Sequence, residues 1–140
     1  MHKKQLSVVI DTNVWISALF GGDSGKYLRK LLLNKNIIVL ISDALKEEVL
    51  KVVSRPKFRK LISGQELDDL EYVLTYRTRY IKTRSKVSVS RDKNDDFLFA
   101  LCKDGEADFL ISGDKDVTIL PSYGKTKIVT LRAFLNIAFL

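Results

Sequence analysis

The chain has 140 residues, 46% hydrophobic and 29% charged, which suits one soluble globular domain, 1–140, and leaves too little material for two comfortable cores. No apolar run approaches the ~20 residues that cross a bilayer, and a single cysteine with a single histidine argues against disulfides and Cys/His metal sites. The formal charge of +7 points to an anionic partner, nucleic acid first.

Met1-His2-Lys3-Lys4-Gln5 carries neither an apolar targeting core nor a small-residue cleavage site, so a cytoplasmic location is expected. Ser7-Val8-Val9-Ile10 is short, β-branched and free of Gly and Pro, the pattern of a strand covered on both faces in a parallel sheet. It stops on Asp11-Thr12-Asn13. Ligands of such sheets bind beyond the carboxyl ends of the strands. Asp11 is therefore placed either to hold a cation or to cap the next helix, and Asp, Thr and Asn all cap well. Val14, Trp15, Ile16, Ala18, Leu19 and Phe20 continue into a short helix ending at Gly21-Gly22, with Trp15 expected in packing. Ser24 is expected to cap a second helix, in which Tyr27, Leu28, Leu31 and Leu32 share one face. The second strand is expected over residues 37–41.

Ser42 then caps a helix reaching about Val53. At ~100° per residue, Ala44, Leu45, Val49, Val52 and Val53 form a stripe centred roughly 60° from Glu48 and roughly 160° from Glu47. Glu48 thus points inward, where a carboxylate is costly unless it is paired with an Arg or Lys or coordinates a metal. Ser54-Arg55-Pro56-Lys57-Phe58-Arg59-Lys60 breaks this helix and gathers four positive charges around one aromatic. Ser63-Gly64-Gln65-Glu66 has capping-box spacing, and the helix it opens is expected to run to about Ile81. A second basic run, Arg77, Arg79, Lys82, Arg84 and Lys86, interleaves with Tyr76 and Tyr80. A charge run is commonly a solvated face, but two of them around aromatics suggest an RNA phosphate footprint through Arg55, Lys57, Arg59, Arg79 and Arg84.

Residues 87–89 form a short strand candidate. In Arg91-Asp92-Lys93-Asn94-Asp95-Asp96, Asn94 reads as an N-cap with both following acids in the first helical turn. Cys102, farther along that helix, reads as a small core residue. Residues 107–112 form another apolar strand, ending on Gly113-Asp114-Lys115-Asp116, so a second strand delivers a carboxylate just as the first does. A loop over 121–125, a last strand over 127–130 and a terminal helix over 131–139 capped by Thr130 complete an alternating pattern. Such alternation implies a parallel α/β sheet.

In that architecture Asp11, Glu48, Asp95 and Asp114 can meet at one end of the sheet. Clustered carboxylates cannot all stay ionised without a cation, and hard oxygen ligands suit Mg²⁺ or Mn²⁺. Within a basic surface this suggests a metal-activated water attacking a phosphodiester in line, with no need for a side-chain nucleophile or a histidine base.

These residues resemble a known family. Val8-Val9-Ile10-Asp11-Thr12-Asn13, Ser42 with Glu48, Asp92-Lys93-Asn94-Asp95, and Ala107-Asp108-Phe109-Leu110-Ile111-Ser112-Gly113-Asp114-Lys115-Asp116 resemble, in this order, the motifs of PIN domains. Ser54-Arg55-Pro56-Lys57-Phe58 resembles a PIN subgroup of toxin components of toxin–antitoxin pairs, the VapC-like ribonucleases. The resemblance implies a PIN-like, Rossmann-like three-layer α/β/α fold with a central, mostly parallel sheet of four to five strands. It implies a Mg²⁺- or Mn²⁺-dependent ribonuclease, a homodimer or higher oligomer, inhibited by a cognate antitoxin. It also implies that Asp11, Glu48, Asp95 and Asp114 are the catalytic, metal-holding quartet, with Asp116 and Asp92 auxiliary and Thr12, Asn13 and Ser112 orienting. Lys93 stands where the subgroup often has Pro, which leaves the role of Asp92 open.

Two other readings compete. A receiver or a haloacid-dehalogenase-like phosphatase also ends its first strand on Asp. The phosphatase would need Asp where Asn13 stands, the receiver an acidic pair, and no Gly-rich phosphate loop is present. A PIN fold that binds RNA or a partner without cleaving, or that processes RNA without an antitoxin, is the remaining alternative.

Overall fold

Val8, Val9 and Ile10 have 0% exposure, because strand β1 (Leu6–Ile10) is covered on both faces, as its unbroken apolar run demands. The computed structural model describes residues 5–20 and 22–139; Met1 to Lys4, and with them His2 and the expectation about a targeting segment, lie outside the described residues, as does Gly21. Among the described residues the other strands are β2 (Ile37–Ile41), β3 (Arg79–Tyr80), β4 (Phe109–Ile111), β5 (Ser122–Tyr123) and β6 (Thr126–Val129). They form one six-stranded sheet in the order β3-β2-β1-β4-β6-β5, parallel throughout except for the β5–β6 pair. The sheet thus exceeds the expected four to five strands by short additions at its edges.

The chain lays β2 and β3 on one side of β1, then returns to add β4 and β6 on the other. The order therefore reverses between β1 and β4, the position where α/β sheets open a crevice beyond their carboxyl ends. Asp11 follows β1 and Asp114 lies just beyond β4, so the two carboxylates flank that crevice.

Helices α1 (Thr12–Ser17), α2 (Gly22–Leu33), α3 (Asp43–Val53), α4 (Pro56–Arg59), α5 (Gly64–Tyr76), α6 (Asp96–Asp104), α7 (Lys115–Thr118) and α8 (Leu131–Ala138) flank the sheet. Ser42, Ser63 and Thr130 cap α3, α5 and α8 as expected, Ser63 and Glu66 forming a full capping box. One continuous core joins strands and helices, with Trp15, Phe99 and Phe134 its largest fully buried side chains and Cys102 within it. Edge-to-face contacts of Phe134 with Phe109, centroids 5.2 Å apart, and of Phe99 with Tyr123, 5.4 Å, fasten α8 and α6 to neighbouring strands.

Four local expectations are corrected. Helix α2 starts at Gly22, ahead of the expected Ser24 cap, and Gly22 itself takes φ +68°, a left-handed conformation open chiefly to glycine. Helix α5 ends at Tyr76 and does not reach Ile81, since Arg79 and Tyr80 pair with Leu40 and Ile41 of β2, and sheet pairing overrides helical periodicity. Residues 87–89 are extended without a ladder partner. Their segment lies along α6 instead: Arg84 and Ser85 donate backbone N–H groups to Asp104 Oδ2, at 2.6 and 2.9 Å, while Val89 and Ser90 donate to Asp96 Oδ1, at 3.0 and 2.9 Å. The expected loop over 121–125 holds β5 and a tight turn in which Gly124 has φ +56°.

Candidate active site

Asp11 occupies the N-cap position of α1, yet its side chain makes no cap bond. Instead Oδ2 accepts from the Ser112 hydroxyl at 2.6 Å, and Ser112, fully buried at the end of β4, itself accepts from the Asp114 N–H at 3.0 Å. The capping reading of Asp11 therefore falls, and a carboxylate with 5% exposure is left facing the crevice. Burial raises its pKa above the usual range, the Ser112 and Thr12 hydrogen bonds oppose that, and the charges of Asp114 and Glu48 add to it.

Asp114, in contrast, does cap: Oδ1 accepts from the Asp116 N–H at 2.9 Å at the start of α7. Asp116, expected as an auxiliary ligand, is engaged by Arg91 at 2.6 Å in an exposed ion pair.

The expectation for the 92–96 segment is corrected. Asp92, not Asn94, is the cap: it accepts from the Asn94 N–H at 3.0 Å and starts a 3₁₀ turn over Lys93–Asp95. Asp96 turns away to clamp residues 89 and 90, whereas Asp95 makes no cap bond and keeps a buried Oδ2 without a hydrogen-bond partner. Desolvation first, then the charges of Asp11, Asp114, Asp92 and Asp116, push its pKa up to about 7. Two adjacent aspartates thus do opposite work, because the tie to residues 89 and 90 settles which one faces the crevice.

Glu48 is half-buried and close enough to raise the pKa of Asp11, whereas Glu47 is exposed, as the helical phase predicts. Ala44, assigned to the apolar stripe, is exposed instead and lines a groove with Glu48. Thr12 is buried with an unpartnered Oγ1, and Asn13 is exposed.

The five expected RNA-binding cations separate. Arg55 lines the groove beside Glu48. Lys57 sits over the Phe58 ring, 4.8 Å from its centroid, Arg59 lines a cleft with Ser63 and Gly64, and Arg79 lies on the outer strand beside Tyr76. Arg84 is tied to the carboxyl end of α6, a helix length of about 13 Å from the end bearing Asp95. Lys51, Asn94 and Phe97 line the groove with Arg55 and were not read as site residues from sequence. The spacing of Glu48 and Lys51 along one helical face, with Arg55 following the helix end, was the available signal.

Asp11, Glu48, Asp95 and Asp114 offer oxygen donors only, which suits a hard divalent cation. Among the described residues no group of three or more acidic, His or Cys side chains is drawn into a ready-made cage. Mg²⁺ requires none, since it takes one or two protein carboxylates and keeps its waters. The buried, unpartnered Asp95 Oδ2 beside the ionisable Asp11 is the feature such a cation would satisfy.

The chain is 33% identical over 129 residues to the uncharacterized protein MJ1680 of Methanocaldococcus jannaschii, covering 89% of this chain and 81% of that one. Its fold is similar to the solved structure of VapBC2 from Rickettsia felis bound to a promoter DNA fragment, with TM-score 0.59, 15% identity, and 88% and 97% of the two chains covered. It is also similar to VapC20 of Mycobacterium tuberculosis, a sarcin–ricin loop cleaving toxin, with TM-score 0.56, 13% identity, and 86% and 98% covered. The PIN domain family model matches residues 7–116, the span that carries both carboxylate-bearing strands and the crevice between them, and this chain belongs to the PIN domain family.

Proposed function

We propose that this chain is a Mg²⁺- or Mn²⁺-dependent endoribonuclease, a single domain over 1–140 acting in the cytoplasm as the VapC-like toxin of a toxin–antitoxin pair. The observation that carries the reading is the pairing of Asp11, which forgoes its cap bond, with Asp95, whose buried Oδ2 has no partner. Two structural neighbours, one described as a sarcin–ricin loop cleaving toxin and one as VapBC2 bound to a promoter DNA fragment, support the toxin assignment. The charge of +7 supports a polyanionic substrate.

Asp11, Glu48, Asp95 and Asp114 would hold the cation, with Asp92 and Asp116 as auxiliary carboxylates. When bound, it supplies an activated water and charge neutralisation for in-line attack on the phosphodiester. Ser112 fixes the rotamer of Asp11 and ties it to the Asp114 backbone, so that two strand ends move as one. Asp95, desolvated and repelled by Asp11 and Asp114, is the group whose ionisation gains most from a cation. Thr12 and Asn13 follow Asp11 on α1 and orient the substrate phosphate. A homodimer and an inhibitory antitoxin complete the proposal.

The test is calorimetric titration of Mn²⁺ into wild type and Asp11→Asn, alongside cleavage of an unstructured RNA. Wild type should bind Mn²⁺ and cleave, and the variant should lose both. Equal Mn²⁺ affinity in the two proteins would sink the assignment of the site.

A further inference from the structure

From the groove beside the carboxylates we infer that Lys51, Arg55, Asn94 and Phe97 form a subsite for one unpaired nucleotide and its phosphates next to the scissile bond. This rests on the nuclease reading and adds where the strand runs. The groove encloses about 470 Å³, within the ~300–1,000 Å³ typical of ligand sites. Its floor is one face of α3, on which Ala44, Glu48 and Lys51 recur at helical spacing, with Arg55 just past the helix end in the extended residue that precedes α4. Charge changes sign along that face. Glu48 is at the end near Asp11, and Lys51 on the next turn and Arg55 beyond the helix end continue away from it.

Among the described residues neither cation has an ion-pair partner. Glu47 and Lys51 stand four residues apart, where helical ion pairs form, yet among the described residues the ion pairs are Arg91–Asp116 and Lys125–Asp108. Lys51 and Arg55 are thus left for phosphates flanking the one at the carboxylates. The opposite wall suits a base: Phe97 is half-buried and offers an aromatic surface, and the exposed Asn94 offers an amide that can pair with a base edge. A duplex keeps its bases stacked inside, so this arrangement fits a single strand.

The experiment measures anisotropy of a labelled short oligouridine in EDTA across a KCl series, with circular dichroism as a folding check. Lys51→Ala/Arg55→Ala should flatten the log–log salt slope by about 1.4, two contacts at ~0.7 each for single strands. Phe97→Leu should weaken binding about tenfold at each salt concentration and leave the slope unchanged. An equal flattening in the control Lys26→Ala/Lys127→Ala would show a general charge effect and overturn the subsite. An unchanged slope in Lys51→Ala/Arg55→Ala would do the same. Binding in EDTA does not depend on metal-assisted cleavage, so a protein that binds this way without cutting RNA overturns the nuclease reading alone.

Discussion

The Ser112 hydroxyl donates to Asp11 Oδ2 at 2.6 Å while accepting from the Asp114 N–H at 3.0 Å, so one buried side chain joins the two carboxylate-bearing strand ends. Replacing it with alanine leaves Asp11 short of a donor that opposes its desolvation. Ser112→Ala should lose about 1–3 kcal/mol of stability in urea unfolding and weaken Mn²⁺ binding. Wild-type stability and metal affinity in this variant would show that the hydroxyl is idle.

Asp95 ties the stability of the metal-free protein to pH. Its pKa is raised from the usual 3.8 to about 7, so between those values the folded state binds a proton that the unfolded state has released. Stability contributed by the protonated form is present below pH 3.8 and is lost as pH rises through about 7. Asp104, held below the usual range by the Ser85 hydroxyl and then by the Ser85 and Arg84 N–H groups, and Asp96, held there by the Ser90 and Val89 N–H groups, lose their contribution only as pH falls under that window. In EDTA the urea midpoint should therefore decline from pH 4 to 7 in wild type and less steeply in Asp95→Asn, where the raised pKa of Asp11 remains. Parallel profiles in the two proteins would place the titrating group elsewhere.

Glu47 and Glu48 border the same groove, but only Glu48 is half-buried and within reach of Asp11. Glu48→Gln should weaken Mn²⁺ at least about tenfold and suppress RNA cleavage, with Glu47→Gln close to wild type. Matching losses would mean that the groove needs its total negative charge and has no specific inward ligand.

Asp96 should matter to the fold and not to the metal. It accepts from the Val89 and Ser90 N–H groups, so Asp96→Ala removes both anchors at that end of the 84–90 segment. We expect a lower urea midpoint and faster amide exchange at those two residues, with Mn²⁺ affinity retained. Asp95→Ala should show the reverse pattern, and a metal defect in Asp96→Ala would contradict the division of labour.

The strands β1 and β2, the caps Ser42, Ser63 and Thr130, and the inward turn of Glu48 are all legible from sequence, because each depends on contacts within a few residues or on a burial period. Asp11 and Asp114 are legible too, since an apolar strand ending on a carboxylate marks the crevice edge of a parallel sheet. Which of Asp92, Asp95 and Asp96 reaches that crevice is not. All three suit a helix start, and the choice falls to the extended segment 84–90, whose N–H groups find no strand and take Asp104 and Asp96 instead. The cations follow the same logic. Exposed lysines and arginines carry no burial pattern, so composition reveals that the chain is basic, and only the placement of α3 and α6 around the crevice sets Arg55 and Lys51 beside the carboxylates and leaves Arg84 a helix length away.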